Sequence, residues 1–529
     1  AVAHALVFSA DNRFAKLTDA EGHFEFKVPR PQEEQNAGRQ ISYGSFSVSS
    51  GPGRTFSGVI SPGGIVLLAR KPGYFQSMTG EPWTAAETES SAEIKIELVP
   101  EALIVGGVNL PSNDGTDKIQ VQVYRLQVQE GHRQWAPAGS VSSRANGEFR
   151  IASLREGEYK LFTQELLDRD PLTFNPRGQL FGYPPVYYPA AADFESAAVI
   201  HLKAGEGFSA TLTPSRREYY PVKLGVLNAE AGRGIRIEVQ SQGHRGPGLS
   251  LGYNMNESSI EGTLPNGNYS VVVTAFGENG ATGALNFSVS GAPVQGPSVM
   301  LVPNQLIEAL VKDERTKGDD TIAPGARNLL GAMNVKLVPS EEFGQRNVLW
   351  LRPPKNPEDE SLAFGNAHPA SYRVRAGCNS TGYVAAVSSG GRDLLRQPLV
   401  VGIGAAVPPI EITIRDDGAQ VQGSIENWPP EGRKEPMRNF SGNVPAVVLL
   451  PLPDSLGQFC QAWATPTGEF SFRQVPPGDY LALALHRIPE ELEYGDTEAM
   501  KKYESKAQVL RLVPGQNEHL RLALNTGNE

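Results

Sequence analysis

Hydrophobic and polar residues alternate along most of this chain, and the alternation restarts on a regular beat. Val121-Gln122-Val123-Tyr124-Arg125-Leu126 has the period of two expected of a half-buried strand. A turn and hairpin signal follows at Ala145-Asn146-Gly147-Glu148-Phe149-Arg150-Ile151, where Asn-Gly supplies positive φ at little steric cost. Leu154 to Phe162 then turns on Gly157 into another alternating strand. The order returns near the end of the chain, in Thr467-Gly468-Glu469-Phe470-Ser471-Phe472, Val475-Pro476-Pro477-Gly478-Asp479-Tyr480-Leu481 and Glu518-His519-Leu520-Arg521-Leu522.

Two markers fix the period. A glycine two residues before a tyrosine recurs at Gly157-Glu158-Tyr159, Gly267-Asn268-Tyr269 and Gly478-Asp479-Tyr480, with a degraded copy at Pro369-Ala370-Ser371-Tyr372. The four tyrosines lie 110, 103 and 108 residues apart. Short strands running into proline or acid close successive units at Glu97 to Pro100, Thr211 to Pro214, Met300 to Pro303 and Thr413 to Asp416. The pattern predicts a string of similar all-β domains. Opening strands are expected at Ile104 to Val108, Val222 to Leu227, Ile307 to Val311 and Val421 to Ile425. An insertion from about Pro31 to Ser61 reads as a long loop or an extra hairpin. Helix signals are rare, and the best is Asp496 to Glu504, with acid early and lysines later as the helix dipole prefers.

Length agrees, because 529 residues exceed what one core can hold and divide into five units of roughly 105 residues. Gly 56 and Pro 41 together make up about 18% of the chain, above the average but below the level of a disordered or collagenous chain. The net charge of −10 argues against a nucleic-acid partner. No apolar run reaches the roughly 18 residues that a membrane-spanning helix needs. Beginning at Ala1-Val2-Ala3 suggests a mature or trimmed form, from which a secreted or cell-surface location is inferred. Cys378 and Cys460 fall in neighbouring units. A bridge between them would stiffen that junction if their Cα atoms come within about 7 Å, and two buried free thiols are the alternative.

Thr18-Asp19-Ala20-Glu21-Gly22-His23-Phe24-Glu25-Phe26 and Val475-Pro476-Pro477-Gly478-Asp479-Tyr480 resemble the two signature motifs of the carboxypeptidase regulatory-like domain. That domain is a transthyretin-like β-sandwich of seven strands, repeated in bacterial secreted and surface proteins. The resemblance covers units 1, 2 and 5. Unit 3 lacks the Gly-x-Phe hairpin and unit 4 reduces it to Leu362-Ala363-Phe364-Gly365, so these two are expected to be immunoglobulin-like. The fold expected is therefore all-β: five tandem immunoglobulin- or transthyretin-like antiparallel β-sandwiches at 1–100, 101–215, 216–303, 304–416 and 417–529, with a short surface helix in the last. In such sandwiches a corner tyrosine fills the end of the core while its hydroxyl reaches backbone, which makes Tyr159, Tyr269, Tyr372 and Tyr480 structural. Unit 1 starts directly at Ala3-His4-Ala5-Leu6-Val7-Phe8, as if lacking its first strand. An open edge of that kind invites a strand from another chain, unless 10–15 upstream residues are simply absent from this sequence.

Chemistry-bearing residues are scattered. Gly248-Leu249-Ser250-Leu251-Gly252 matches a serine-hydrolase pattern, but that motif works as a strand-to-helix elbow in a parallel sheet and no helix pattern follows it. The eight histidines, including His23, His486 and His519, form no metal-ligand spacing. Asn113 to Asp117 and Asp416-Asp417-Gly418 are ordinary turn sequences that could also offer oxygen ligands to calcium. The stretch Phe181-Gly182-Tyr183-Pro184-Pro185-Val186-Tyr187-Tyr188-Pro189 reads as a proline-stiffened loop packed on the sheet or on the next unit, with a ligand groove as the alternative. Trp350 to Pro357 is a second candidate loop. Five Asn-x-Ser/Thr sequons, Asn379-Ser380-Thr381 among them, matter only in a glycosylating host. No catalytic, cofactor or metal residues are assigned. The expected role is a non-enzymatic extracellular structural or adhesive protein, a rod or a subunit of a surface filament, which self-assembles or meets protein partners through edge strands. The alternatives are a carbohydrate- or peptide-binding protein and an enzyme with a hidden carboxylate pair.

Overall fold

A computed structural model describes the chain except residues 10–13, 27–43, 50–54, 61–65, 77–82, 85–95, 111–117, 169–177, 192, 231–232, 242–245, 278–279, 317–333, 341–347, 354–360, 378–381, 427, 429–444, 453–454, 456, 466, 487, 490–491 and 526–529. Strands dominate the described residues, and the helix Thr497–Glu504 is capped by Asp496, whose carboxylate accepts from the backbone N–H groups of Glu498 and Ala499.

Four large apolar cores follow one another along the chain, drawn from residues 102–212, 220–301, 307–414 and 419–522. Each is closed by strands of the same stretch. In the first, the sheet built on Gln120–Gln129, His132–Ser142, Gly157–Thr163 and Ile200–Leu202 faces a second sheet of Ala102–Val108, Glu148–Leu154 and Gly207–Leu212. Val121, Val123, Tyr159 and Leu161 from one sheet meet Ile104, Phe149, Ile151 and Leu212 from the other. This is a β-sandwich of seven strands.

The four stretches share a pairing rule that differs from the antiparallel expectation. In each, the opening strand lies antiparallel to the strand before the corner tyrosine and parallel to the closing strand. Ala102–Val108 pairs with Gly207–Leu212 in parallel, Arg217–Leu227 with Val294–Met300, Gln305–Asp313 with Ile410–Arg415, and Ala419–Glu426 with Asn517–Asn525. The sheets are mixed because the strands between opening and closing cross to the facing sheet and return, a crossover that makes parallel pairing available. The Gly-x-Phe hairpin is complementary to the opening strand: Phe149 sits opposite Gly106 and Phe470 opposite Gly423. A Cβ on Gly423 would meet the Leu520 carbonyl oxygen at 2.1 Å and the Phe470 ring at 2.7 Å, so only glycine fits between closing strand and ring. The strand that the motif does not announce at 259–265 still forms, as Ser259–Pro265 against Arg217–Leu227.

Every corner tyrosine is buried, and each hydroxyl donates to the carbonyl four residues earlier: Tyr159 to Arg155 at 2.7 Å, Tyr269 to Pro265 at 2.7 Å, Tyr372 to His368 at 2.9 Å and Tyr480 to Pro476 at 2.6 Å. The carbonyls at these corners leave the ladder, and the phenol satisfies them without opening the core to water.

The N-terminal stretch departs from the rule. Leu6–Ser9 pairs with Ala15–Leu17 and Val66–Arg70, and within the insertion Gly44–Ser49 and Thr55–Ile60 form a hairpin. Residues 19–22 make a turn, with the Gly22 N–H donating to the Asp19 carbonyl. Residues 23–26 form no strand, although Phe24 and Phe26 alternate in burial with their neighbours. Elsewhere that segment is held by an opening strand, and residues 1–5 carry none.

Candidate functional site

Ser250, in the Gly-x-Ser-x-Gly pattern, lies in an extended segment before the strand Gly252–Asn254, not at a strand-to-helix elbow. Its N–H and Oγ both donate to Glu165 Oε1, at 2.6 and 2.9 Å. Glu165 follows the strand Gly157–Thr163 of the preceding sandwich, so the pair fastens one stretch to the next. Burial pushes the Glu165 carboxyl up to about 7, against the lowering effect of the two Ser250 hydrogen bonds. Glu165 Oε2 and the hydroxyl of Tyr219 are buried without hydrogen-bond partners. Among the described residues no histidine is hydrogen-bonded to Ser250, and the group that its Oγ meets is the Glu165 carboxylate, which ties it to the neighbouring sandwich.

The aromatic stretch 181–189 packs. Tyr187 joins Trp135, Phe162 and Phe194 in an aromatic cluster, and its hydroxyl donates to the Pro247 carbonyl at 2.7 Å. Leu180–Tyr183 pairs with Arg217–Leu227, so a hairpin from the second stretch extends a sheet of the third sandwich. Arg216 covers the Phe181 ring at 3.9 Å and donates to Asp168 at 2.8 Å. At the other candidate loop, Trp350 is exposed and lies beneath the Lys336 ammonium at 5.3 Å, while residues 354–357 are outside those described.

At the junction between the last two cores the aspartates serve protein donors. Thr316 N–H donates to Asp416 at 2.9 Å, Tyr383 hydroxyl to Asp417 at 2.8 Å and Arg415 to the other Asp417 oxygen at 2.7 Å. Asn113 to Asp117 lie outside the described residues. Among the described residues no group of three His, Cys, Asp or Glu is placed to hold a metal. Cys460 is buried and disulfide-bonded, so it is not a free thiol. Cys378, the chain's other cysteine, is outside the described residues.

A further concave feature is signalled by no motif. The hairpin Gln120–Gln129/His132–Ser142 is long enough, at about 3.3 Å per residue, to overhang its own sandwich. It turns at Glu130 and Gly131, both with positive φ (52° and 76°), and the tip is received by the two C-terminal sandwiches. Gly131 packs on Tyr494, where a Cβ would meet the ring at 2.7 Å, and the Gly495 N–H donates to the Gly131 carbonyl at 3.0 Å. Arg133 Nε donates to the buried Glu493 at 2.6 Å, a hydrogen bond that raises the arginine pKa. Glu130 pairs with Lys336 and accepts from the Tyr494 hydroxyl at 3.3 Å, while His132 Nε2 meets the Arg375 guanidinium. A guanidinium only donates, so His132 accepts there as a neutral ring protonated on Nδ1. Tyr494 stacks in turn on Phe459, 4.3 Å between centroids and 8° from parallel. A straight end-to-end rod is excluded by these contacts, since the second sandwich touches the fifth.

Beside the tip opens a cleft of about 700 Å³ lined by all three parties to the clasp. Its walls carry Lys336, Arg373, Arg375 and Arg396 against Glu130. The signal that could have found the turn is Glu130-Gly131 between two alternating runs. Nothing in the local sequence says that the turn docks 360 residues away.

No family model matches this chain, and no curated protein does. Among solved structures it is similar to a streptococcal ancillary pilin, at 12% identity and TM-score 0.19 over 59% of this chain and 98% of the pilin. It is also similar to BcpA, the major pilin subunit of Bacillus cereus, at 9% identity and TM-score 0.14 over 60% and 99% of the two chains. Two B repeat units of the collagen-binding protein of Staphylococcus aureus align at 10% identity and TM-score 0.14 over 74% and 94%. Likenesses of this size carry no argument about this chain.

Proposed function

We propose that this chain is a non-enzymatic structural or adhesive protein of the cell exterior. Its five tandem sandwiches, with boundaries near residues 100, 215, 303 and 416, belong on this reading to the carboxypeptidase regulatory-like type in units 1, 2 and 5. The observation that carries the reading is how the side chains with chemical potential are used. Ser250 with Glu165 and Arg133 with Glu493 all fasten one sandwich to another. A polypeptide that uses such groups to join its sandwiches makes a body suited to presenting a surface. Assembly with further copies or with protein partners would use sheet edges, the extended segment 23–26 among them.

Fractionation of the source cells, followed by electron microscopy of the native material, tests this. The expected result is protein in the exterior fraction, as particles whose sandwiches are folded back on each other, alone or in arrays. A cytoplasmic protein, or ester or peptide hydrolysis that S250A abolishes, would sink the proposal. A second reading, a binding protein for a saccharide or peptide, is favoured by the 700 Å³ cleft. A glycan array that returns specific hits would move the weight to it.

A further inference from the structure

We propose that the cleft beside the hairpin tip is a binding site for a small oxyanion, held by Arg373 and Arg375. Both residues lie on the strand Ala370–Gly377, two positions apart, so their side chains leave the same face about 7 Å from each other. Tyr372 and Val374, the alternate positions, face the core. The charges around the two arginines are already committed. Lys336 is matched by Glu130, and Arg396 by Asp393 at 3.8 Å. His132 is neutral by the argument above and brings no counter-charge to Arg375. Among the described residues Arg373 has no hydrogen-bond or ion-pair partner, and Nε of Arg375 is buried without one. Burial, and then the charge of Arg375, lower the Arg373 pKa below the usual arginine value. Two guanidinium groups of like charge, half-buried in a cleft and short of acceptors, lack one thing, an acceptor-rich anion. Guanidinium forks match the paired oxygens of a carboxylate, phosphate or sulfate. Gln458, whose Nε2 donates to the Val384 carbonyl at 2.6 Å, leaves its buried Oε1 unpaired in the same wall, where it would accept from a hydroxyl or a protonated oxygen of the bound group. Because the cleft is walled by three sandwiches, the anion would also reinforce the clasp.

This inference stands apart from the structural reading above and can fail without it. The test is calorimetric titration of the full chain with inorganic phosphate, sulfate, citrate and glucuronate, at constant ionic strength in chloride buffer. One saturable site is expected, weakened about tenfold by R373Q and lost in R373Q/R375Q, with R373K between because it keeps the charge and loses the fork. Preference for phosphate or sulfate would name a phosphoryl or sulfate group as the natural ligand, and preference for citrate or glucuronate a carboxylate. No saturable binding to any of the four, or binding that R373Q/R375Q leaves intact, overturns the proposal. Since Arg373 has no hydrogen-bond or ion-pair partner among the described residues, R373Q is expected to unfold at the same or a higher temperature than the parent in chloride. Should the variants nevertheless misfold, selenate soaked into crystals of the parent protein decides: an anomalous peak between the two arginines supports the site, and a peak elsewhere or none overturns it.

Discussion

The sandwich at 102–212 leaves its own stretch of sequence in two places, and the two are held by different forces. Toward the third sandwich the join is a hairpin strand added to that sandwich's sheet, Leu180–Tyr183 on Arg217–Leu227, backed by the buried Tyr187 cluster. Toward the C-terminal sandwiches it is a hairpin tip seated in a polar clasp of Glu130, His132 and Arg133 with Lys336, Arg375 and Glu493. Ladder bonds and apolar burial are insensitive to salt and hard to undo locally, whereas the part-buried ion pairs of the clasp cost desolvation to make and are partly screened by salt. The first join is therefore part of the fold. The second is a closure that can open while every sandwich stays intact.

The largest difference should come from the aromatic anchor of the first join. Tyr187 is buried among Trp135, Phe162 and Phe194 and reaches the Pro247 carbonyl across the boundary. Y187A should lower stability by about 3–5 kcal/mol in urea unfolding, from the cavity, and Y187F by about 1 kcal/mol, from the hydrogen bond. Hydrogen exchange should show the 180–183 and 217–227 ladder opening together in Y187A. A loss below about 1 kcal/mol in Y187A would mean that the ladder alone holds this join.

The same join contains a carboxyl raised toward neutrality. The folded pKa of Glu165, about 7, is raised above the ordinary 4.5, so folding binds a proton. Its contribution is fully present below about pH 4.5 and is lost as pH rises through about 7. Stability at pH 8 should be lower than at pH 5 by an amount on the order of 1–2 kcal/mol, after discount for the site's partial exposure. E165Q should flatten that slope. A slope unchanged in E165Q would assign it to another group.

How much of this was legible depended on the range over which residues act. Tyr159, Tyr269, Tyr372 and Tyr480 were readable because the corner is local: ring, turn and accepting carbonyl all lie within five residues. Even Tyr372, whose glycine is lost, makes the bond. The Phe24-Glu25-Phe26 segment carries the same motif yet forms no strand, for the opposite reason. Phe470 becomes part of a strand because Gly423 on the opening strand lies across from it, and Phe24 has no such counterpart among the described residues. The motif encodes half of a pair. The clasp was least legible of all, since Glu130-Gly131 announces a turn and the groove that receives it is assembled from residues near 336, 375 and 494.

The tip can be expelled by sterics. A side chain at Gly131 would strike the Tyr494 ring, and its φ of 76° disfavours β-branched residues. G131V should shift the unfolding midpoint by only about 1 kcal/mol, because no core is entered, yet enlarge the radius of gyration in solution scattering as the second sandwich swings from the fifth. A large loss of stability without expansion would show that the hairpin, not the docking, had been damaged.

Ion pairs should make the smallest energetic contribution and the clearest signature. Arg133 is more than half exposed while Glu493 is buried, so their 2.6 Å pair is only partly shielded from salt. R133A should cost no more than about 0.5–1 kcal/mol, and raising NaCl from about 0.05 to 0.5 M should produce the G131V expansion in the parent protein, in the absence of added oxyanion. The sheet-built join should show no change in exchange over the same salt range. If salt loosened the 180–183 ladder as readily as the tip, the two joins would be one cooperative unit, and the division between permanent fold and separable closure would fall.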